Sequence, residues 1–450
     1  MSGLSTLPAG CGVVNPSATL VLNSEVQPMV VADPNNPFHL VATLQQDRWS
    51  KFGGNAVVTY ISDDYGFHWR PAHHQPKFTH CAGGTSHNGG DYEVATDSWL
   101  SIGPDGTVFQ VVFAINQVAT YTTAITVSRS TDGGDTWSNP STLIADTDSR
   151  FFDDRPTVTA DPQHPGRVYV AWDRIDDTST DTVEHYQQPF YLSRSLDNGV
   201  TWESPRNVLD TPVNSGTIGH QILVLDDGTL IDAFDLLDDS SNTFEVTRST
   251  NGGQSWSAPI RVAPLPDGWN IPNPKTGTVG IRAAALPLLA LGRDGKTVFA
   301  TFPLQTPNGQ QHVGFTRSVD HGLTWSTPIV VDHTPVGQSA FLPVIAVTED
   351  GRIGITHYDT RNDTTTNPAT LAADVWLTSC WSNCTQVTSW TELHVAGGID
   401  VLRAPKTGLG YMLGDYTGLV GGLFGSFVAV FDKTHPDQNN AQDVVSAILR

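Results

Sequence analysis

An eight-residue motif recurs along the chain and constrains its fold more than any other feature of the sequence. Each copy fits the frame Ser-x-Asp-x-Gly-x-Thr-Trp with small variations, and Asn251 replaces the aspartate once. Such a segment predicts a hairpin turn, because Asp accepts backbone N–H groups, Gly adopts positive φ and Trp packs on neighbouring strands. We interpret the motif residues as structural, and the five copies lie at 62–69, 130–137, 195–202, 249–256 and 318–325.

The segments between these copies follow a common order. An apolar run is followed by a turn such as DPNNP, GPDG or LDDG, a second run, a variable loop and then the hairpin with the motif. Four antiparallel strands per repeat is the pattern of a β-propeller blade. The sequence therefore predicts an all-β fold, a seven-bladed β-propeller in a single domain over residues 1–450, with six blades as the alternative.

The predicted blades can be placed along the chain. The sixth blade has CWSNC in place of the motif, and the last has three C-terminal strands, which ATLVLN at residues 18–23 would complete as a closing N-terminal strand. The first six blades are expected to begin near Gln27, Tyr92, Arg155, Gly219, Arg282 and Phe341.

The charge balance excludes some functions. Lys and Arg total 24 against 46 Asp and Glu, a formal net charge of −22, which disfavours non-specific attraction to nucleic acid or anionic lipid. No apolar stretch is long enough for a transmembrane helix. We expect no nucleic-acid partner, no membrane partner and a monomeric chain.

Four cysteines are consistent with two disulfides. Cys380 and Cys384 stand four residues apart, and Cys11 and Cys81 would form the second pair. Zinc is the less favoured alternative, because no His or Cys at ligand spacing surrounds Cys380. The start, MSGLSTLPAG, lacks the basic and apolar regions of a signal peptide. We therefore expect a secreted protein whose sequence begins at the mature end.

The long loops that face one side of the predicted propeller concentrate arginine and histidine. Arg48, Arg150, Arg155, Arg174 and Arg282 belong to this set. Because arginine offers a planar pair of donors that matches a carboxylate, these loops predict the capture of an acidic sugar. The alternative is that each arginine pairs with a nearby aspartate of the chain.

This pattern resembles the sialidase superfamily of Asp-box propellers over nearly the whole chain, and QQDRWS, TIGHQILVLDDGTL and GDYTGL look like secreted sialidase-like proteins. The resemblance implies three arginines on a sugar carboxylate, a Tyr nucleophile activated by Glu, and an Asp acid. Tyr416 stands where the tyrosine is expected, and Asp47 near the acid. Gln27, His220 and Asp232 stand near positions where the first arginine, the Glu and the second arginine are expected.

Histidine in place of these groups favours a polysaccharide lyase that removes the C5 proton of a uronic acid. The chain is similar in size and blade number to the L-rhamnose-α-1,4-D-glucuronate lyases. This resemblance implies an acidic oligo- or polysaccharide substrate. The predicted catalytic residues are His87, His220, Arg155 and Tyr416. The predicted substrate-binding residues are Arg48, Arg150, Arg174, Arg282, Tyr358, Asp359 and Arg361.

Two other functions stay open. A sialidase-like glycoside hydrolase needs two carboxyl groups, or Tyr with a carboxylate. These could come from Asp47, Asp153, Asp154, Asp359, Glu93 and Tyr416. A non-catalytic carbohydrate-binding propeller is the third reading, although the loops differ between blades and thus favour one asymmetric site. No cofactor is expected to be required and no metal is assigned to the site, with structural calcium as an option in Asp-rich loops.

Overall fold

The regular secondary structure of the chain is almost entirely β-strand. A computed structural model describes residues 1–118, 120–238, 241–278, 280–364, 366–437 and 439–450. Within these ranges the helical segments are short 3-10 turns, and none has the length and hydropathy needed to cross a bilayer. The 3-10 turns are His80–Ala82, Val387–Ser389, Val401–Arg403 and Leu423–Gly425.

Most of the strands form seven antiparallel groups that follow one another along the chain. Group 1 contains β1 (Leu20–Asp33), β2 (Asn36–Trp49), β3 (Gly54–Ser62) and β4 (Arg70–Pro71). Group 2 contains β5 (Val94–Ile102), β6 (Val108–Asn116), β7 (Thr122–Ser130) and β8 (Ser141–Asp146). Group 3 contains β9 (Phe151–Ala160), β10 (Val168–Asp177), β12 (Phe190–Ser195) and β13 (Arg206–Leu209).

The remaining groups have the same order. Group 4 contains β14 (Ser215–Val224), β15 (Leu230–Leu237), β16 (Asn242–Ser249) and β17 (Ile260–Pro264). Group 5 contains β20 (Leu288–Leu291), β21 (Val298–Gln305), β22 (Gln311–Ser318) and β23 (Ile329–Val330). Group 6 contains β24 (Ala340–Val347), β25 (Ile353–Asp359), β26 (Ala372–Cys380) and β27 (Thr391–Asp400). Group 7 contains β30 (Gly418–Gly421), β31 (Phe427–Thr434) and β32 (Gln442–Leu449).

Five short strands lie outside these groups. Strand β11 (Tyr186–Gln188) pairs with both β10 and β14. The other four form a separate accessory sheet from two distant segments of the chain. They are β18 (Asn270–Ile271), β19 (Ile281–Arg282), β28 (Lys406–Thr407) and β29 (Gly410–Tyr411).

The first strands of the groups meet around a common centre. β1 contacts β5, β5 contacts β9, and the contacts continue through β14, β20, β24 and β30 back to β1. Apolar clusters fill the spaces between neighbouring groups; for example, Tyr169 and Leu192 of group 3 pack with Ile222 of group 4. The all-β propeller prediction is confirmed. The strands fall into seven groups when the three-stranded group 7 is counted as one, and the number of blades stays a prediction.

The N-terminal strand β1 meets group 7 where Ser24 pairs with Gln442 of β32, but the predicted assignment of residues 18–23 to group 7 is corrected. Leu20 and Val21 pair with Trp49 and Arg48 of β2, so residues 20–23 extend the first strand of group 1 instead of completing group 7. Ser2 lies beside β32, where its N–H donates to the Val444 carbonyl at 3.1 Å and its hydroxyl accepts from the Val444 N–H at 2.8 Å. The residues before β1 therefore lie beside group 7. The alternation in ATLVLN fits β2 and β32 equally well, so the sequence pattern alone could not choose between these neighbours.

The turns of the repeated motif have the expected geometry. In the copy at 130–137, the Gly134 N–H donates to Ser130 Oγ at 2.8 Å and the Thr136 N–H donates to Asp132 Oδ1 at 2.9 Å. Gly134 has a φ of 90°, in the region that glycine adopts without a Cβ clash. These contacts are internal to the turn, which supports the structural interpretation.

Both expected disulfides are present, Cys11–Cys81 and Cys380–Cys384. The second bond closes the turn between β26 and β27, where the other groups carry the motif. The first bond fastens the N-terminal segment to the loop between groups 1 and 2.

Candidate functional site

Five of the described central strands carry a β-bulge at the same level of the ring. At each bulge two residues oppose one on the neighbouring strand, and the first of the two has positive φ. These residues are Gln27 (55°), Asp97 (49°), Arg155 (49°), Gly219 (75°) and Leu342 (52°). A positive φ costs a non-glycine residue about 1–3 kcal/mol, and such strain clusters at functional sites. The bulges therefore mark the ring centre as the candidate site.

Arg155 and Arg282 share a carboxylate of the chain, Asp415. Arg155 Nη2 donates to Asp415 Oδ2 at 2.7 Å, while Arg282 donates through Nε to Oδ1 at 2.6 Å and through Nη2 to Oδ2. The Asp415 side chain is fully buried. Burial alone would raise the pKa of Asp415, but Arg282 and Arg155 outweigh it and hold the pKa below its usual range. Asp415 therefore stays ionised between the two arginines.

The accessory sheet places one further side chain, Trp269, at the centre. Asn270 pairs with Arg282, and the Ala283 N–H donates to the Trp269 carbonyl at 2.8 Å. The Trp269 ring lies 4.4 Å from the Arg155 guanidinium carbon, within the range of a cation–π contact. The segment between groups 4 and 5 thus covers a residue presented by group 3.

A chain of amide groups links Arg48 to Asp97. Arg48 Nη1 donates to Gln45 Oε1 at 3.2 Å, Gln45 Nε2 donates to Gln27 Oε1, and Gln27 Nε2 donates to Asp97 Oδ1 at 2.8 Å. Burial, together with the positive charge of Arg282, lowers the pKa of Arg48 to about 10. Arg48 therefore faces the same charged centre from group 1.

Two further aspartates lie beside Arg155. Asp154 Oδ2 is 3.9 Å from Arg155 Nε, and burial raises the pKa of Asp154 to about 7. Asp173 accepts from Gln188 Nε2 at 2.7 Å, and burial raises its pKa well above the usual value. The Asp154 side chain retains 21% of its exposure while that of Asp173 is fully buried, so Asp154 is the one a solvent-borne ligand can reach.

Tyr416 and Trp99 form the floor of the centre. Their rings meet edge to face at 5.3 Å, and the Tyr416 hydroxyl donates to the Ser98 carbonyl at 2.9 Å. Burial raises the pKa of Tyr416 well above its usual value, so its hydroxyl stays protonated. With Asp97 and Arg155 they border a cavity of about 20 Å³, enough for about one water molecule. Among the described atoms, Nε and Nη1 of Arg155 are buried there without a hydrogen-bond acceptor.

The His220 ring packs away from the cluster around Asp415, although the residue borders the same cavity, and its catalytic role stays a prediction. Its ring is fully buried and stacks on Phe190 at 4.1 Å. Nδ1 lies 2.7 Å from Asp232 Oδ2 and Nε2 lies 2.9 Å from Thr217 Oγ1, so both nitrogens are occupied. The bulge at Gly219 turns the following side chain into the packed space between groups 3 and 4.

His87 and Arg150 also lie away from the centre. His87 is exposed in the loop after group 1, and that loop approaches the outer part of group 2, where Gly89 faces the Pro140 carbonyl. Arg150 is exposed and donates to both carboxylate oxygens of Asp176. Neither residue contacts the cluster around Asp415.

The other predicted binding residues support the scaffold instead. Arg174 donates to Asp146 and Asp153 within and beside group 3. Arg361 donates to Asp359 and Glu392 and covers Trp376 at 3.7 Å. The Tyr358 hydroxyl donates to the Asp432 carbonyl at 2.9 Å. These side chains therefore have partners within the chain, as the alternative interpretation of the sequence proposed.

The structure therefore brings together Arg48, Arg155, Arg282 and Tyr416 from the predicted set. It adds Asp97 and Trp269, which sequence reasoning missed. Asp97 lies within an alternating strand and nothing in the sequence indicates its bulge. Trp269 stands outside the repeated motif in a long loop, and that difference is a signal that could have identified it.

Metal binding has no geometric support in the described ranges. No three His, Cys, Asp or Glu side chains there are grouped so that they could hold an ion. Structural calcium stays a prediction.

The chain matches a known family of repeat proteins. A family described as the BNR repeat-like domain matches residues 99–355, which is more than half of the chain. No curated protein sequence matches the chain.

Several solved structures share the fold. An α-L-arabinofuranosidase of Fusarium graminearum, solved with arabinobiose, is 10% identical with a TM-score of 0.51, covering 100% of this chain and 98% of that one. A Penicillium chrysogenum α-L-arabinanase, complexed with arabinobiose, is 14% identical with a TM-score of 0.50, covering 99% and 98%. A leech intramolecular trans-sialidase is 12% identical with a TM-score of 0.47, covering 91% and 82%.

Proposed function

This chain belongs to the BNR repeat-like domain family, and we propose that it is a carbohydrate-active enzyme that hydrolyses a glycosidic bond. The observation that carries the proposal is the pair Asp154 and Asp97 beside Arg155 at the strained centre of the ring. A glycoside hydrolase needs one carboxyl group that donates a proton and one that stays ionised. The fold neighbours named as arabinose-processing enzymes indicate which saccharides to try first.

Asp154 has the properties of the general acid. Burial raises its pKa to about 7, so a large fraction of the group is protonated near neutral pH, and its side chain is partly exposed. Asp97 lies in the same cluster and accepts a hydrogen bond from Gln27, which orients it as the nucleophile or base. Arg155 would then contact one sugar hydroxyl group through its unpartnered N–H donors, since the cavity beside it has room for about one group of the size of a water molecule.

The lyase reading is less well supported. It requires a base at the C5 proton, but His87 lies away from the centre and both ring nitrogens of His220 have partners within the chain. Tyr416 donates to a backbone carbonyl and its pKa is raised, which makes it a poor base at neutral pH. A purely binding role is the remaining alternative, and it predicts no product at all.

The function is tested with a panel of arabino-oligosaccharides, sialosides and gum arabic. We expect reducing sugar to appear without the ultraviolet absorbance of a new carbon–carbon double bond. The rate should decrease above about pH 7, because Asp154 loses its proton there. Absorbance that rises with product would favour the lyase, and saccharide binding without product would favour the binding module.

Variants test the assigned acid. Asp154→Asn should lower kcat by roughly 10²–10⁴-fold, the usual contribution of a general acid. Asp176→Asn is the matched control, since Asp176 follows on the next strand of group 3 and pairs with Arg150 outside the centre. Full activity of Asp154→Asn would contradict the assignment.

Two disulfides support the proposal that the protein works in an oxidising compartment outside the cell. The monomeric state stays a prediction, which sedimentation or light scattering would test.

A further inference from the structure

Asp415 occupies the position that an acidic ligand would take between Arg155 and Arg282. Both of its carboxylate oxygens accept hydrogen bonds from guanidinium groups, and Oδ2 accepts from both arginines. The side chain is fully buried and comes from the segment just before β30, so the strand of group 7 fixes its place. The chain itself thus supplies the two-pronged partner that these arginines fit best.

The charge of the whole cluster leads to the same point. Four carboxyl groups, Asp97, Asp154, Asp173 and Asp415, lie near three guanidinium groups, Arg48, Arg155 and Arg282. Burial raises the pKa of Asp154 and of Asp173, so these two groups add little negative charge near neutral pH, and Asp415 is the carboxylate that balances Arg155 and Arg282. An additional carboxylate would have to displace Asp415 from these arginines, which would leave a buried charge without its partners.

The donors left over at the centre suit a neutral oxygen. Nε and Nη1 of Arg155 and Nε of Arg48 are buried and lack acceptors among the described atoms. They are separate single donors rather than a free guanidinium edge, since Nη2 of Arg155 is already held by Asp415. The cavity beside Arg155 has room for about one water molecule, and a single sugar hydroxyl group is of that size and accepts such bonds without bringing a charge.

We propose that Asp415 is a specificity-determining residue that fills the arginine pair and restricts the site to uncharged saccharides. This corrects the expectation of an acidic substrate and rests on the proposed saccharide site, because it assumes that a sugar enters the centre. Asp415 acts through Arg155 and Arg282, so it is a positioning residue rather than a catalytic one.

The wild-type protein provides the first test, by calorimetric titration with arabinobiose, methyl glucuronide and N-acetylneuraminate. We expect the two acidic sugars to bind at least about tenfold more weakly than the neutral one, or not at all. The proposal would be overturned if the acidic sugars bound wild type as tightly as arabinobiose does and if the Arg282→Ala variant lost this binding.

Removing the internal carboxylate provides the second test. Asp415→Ala should have a lower Tm than wild type, and added acetate should raise that Tm by refilling the arginine pair, whereas equal chloride should not. Methyl glucuronide affinity should rise by about tenfold or more relative to wild type. Asp359→Ala is the matched control, because Asp359 is equally buried on Arg361, which keeps Glu392 as a partner. Acetate should not restore its Tm.

Asp415→Asn keeps the shape of the side chain if the alanine variant does not fold. It removes the charge, and we expect it to bind methyl glucuronide more tightly than wild type does. A folded Asp415 variant with neither an acetate response nor a gain in acidic-sugar affinity would overturn the proposal. These binding measurements do not depend on turnover. If wild type binds neutral sugars but hydrolyses none of them, the proposed hydrolase activity is wrong, while the inference about Asp415 still holds.

Discussion

Glu25 is a buried carboxyl group outside the candidate site. Ser2 Oγ donates to it at 2.9 Å, Gln46 Nε2 also donates to it, and burial raises its pKa from 4.5 to about 9. The folded state therefore keeps a proton that the unfolded chain releases between these pH values. The associated stability is full below pH 4.5 and is lost as the pH rises towards 9, by up to about 1.4 kcal/mol per pH unit.

Glu25→Gln should remove this dependence, since an amide does not ionise. We expect the variant to be more stable than wild type at pH 8 and its free energy of unfolding to vary less from pH 5 to pH 9. Urea denaturation at a series of pH values measures this. Glu184→Gln, at an exposed site, serves as the control. Parallel curves for wild type and Glu25→Gln would contradict the assignment.

The residues of the site were only partly predictable, and the bulges explain why. Arg155 and Arg282 could be placed at strand beginnings, but strict alternation puts Asp97 and His220 on the wrong faces. An extra residue in a strand reverses the sides of the following side chains. At Asp97 and Arg155 the bulge residue is not glycine, so no local sequence signal indicates it.

The motif turn can be tested in the copy that follows β22. Ser318 Oγ donates to Asp320 Oδ1 at 2.8 Å and accepts from the Gly322 N–H at 2.8 Å, and the residue is buried. Ser318→Ala leaves that N–H without its partner, which should cost about 1–3 kcal/mol in the free energy of unfolding. Val319→Ala, in the same turn but exposed, should change stability by less than about 0.5 kcal/mol. Equal effects would argue against the role of Ser318.

The two disulfides should contribute unequally, because their loops differ in length. Cys11–Cys81 spans 70 residues and Cys380–Cys384 spans 4. Loop-closure entropy predicts about 4 kcal/mol for the longer loop and about 2 kcal/mol for the shorter. Double Cys→Ser variants of each pair, compared by chemical denaturation, measure the difference. A larger loss for the 380–384 pair would contradict this reasoning.

Most elements were predictable from alternation and turn residues, because each group repeats the same pattern. The accessory sheet was not, since its strands are two residues long and pair segments that are far apart in the sequence. The role of residues 20–23 was missed for a related reason. Both possible neighbours, β2 and β32, offer an edge that the same alternating segment fits.

His357 makes a contribution to the stability of the whole molecule that is lost in mild acid, opposite in sign to the contribution of Glu25. The His357 side chain is fully buried between Asp332 and Glu392, with Nε2 3.7 Å from Glu392, and burial lowers its pKa from 6.5. Between the lowered value and 6.5 the unfolded chain binds a proton that the folded chain does not. The stability that His357 contributes therefore falls as the pH decreases below 6.5.

Thermal unfolding between pH 7 and pH 5 tests this contribution. His357→Gln should show a smaller decrease in Tm over that range than wild type, whatever its Tm at pH 7. His87→Gln is the control, because His87 is exposed and the change should leave the slope unaltered. Identical slopes for His357→Gln and wild type would assign the acid sensitivity to other groups.

The Cys11–Cys81 bond also determines how the ring would respond to a pulling force applied at its two ends. The contacts of Ser2 with Val444 would yield early, but the crosslink shields the chain between the two cysteines from the load. Those 70 residues include nearly all of group 1. The full extension under oxidising conditions should fall short of that of the reduced protein by roughly 240 Å, at about 3.5 Å per residue.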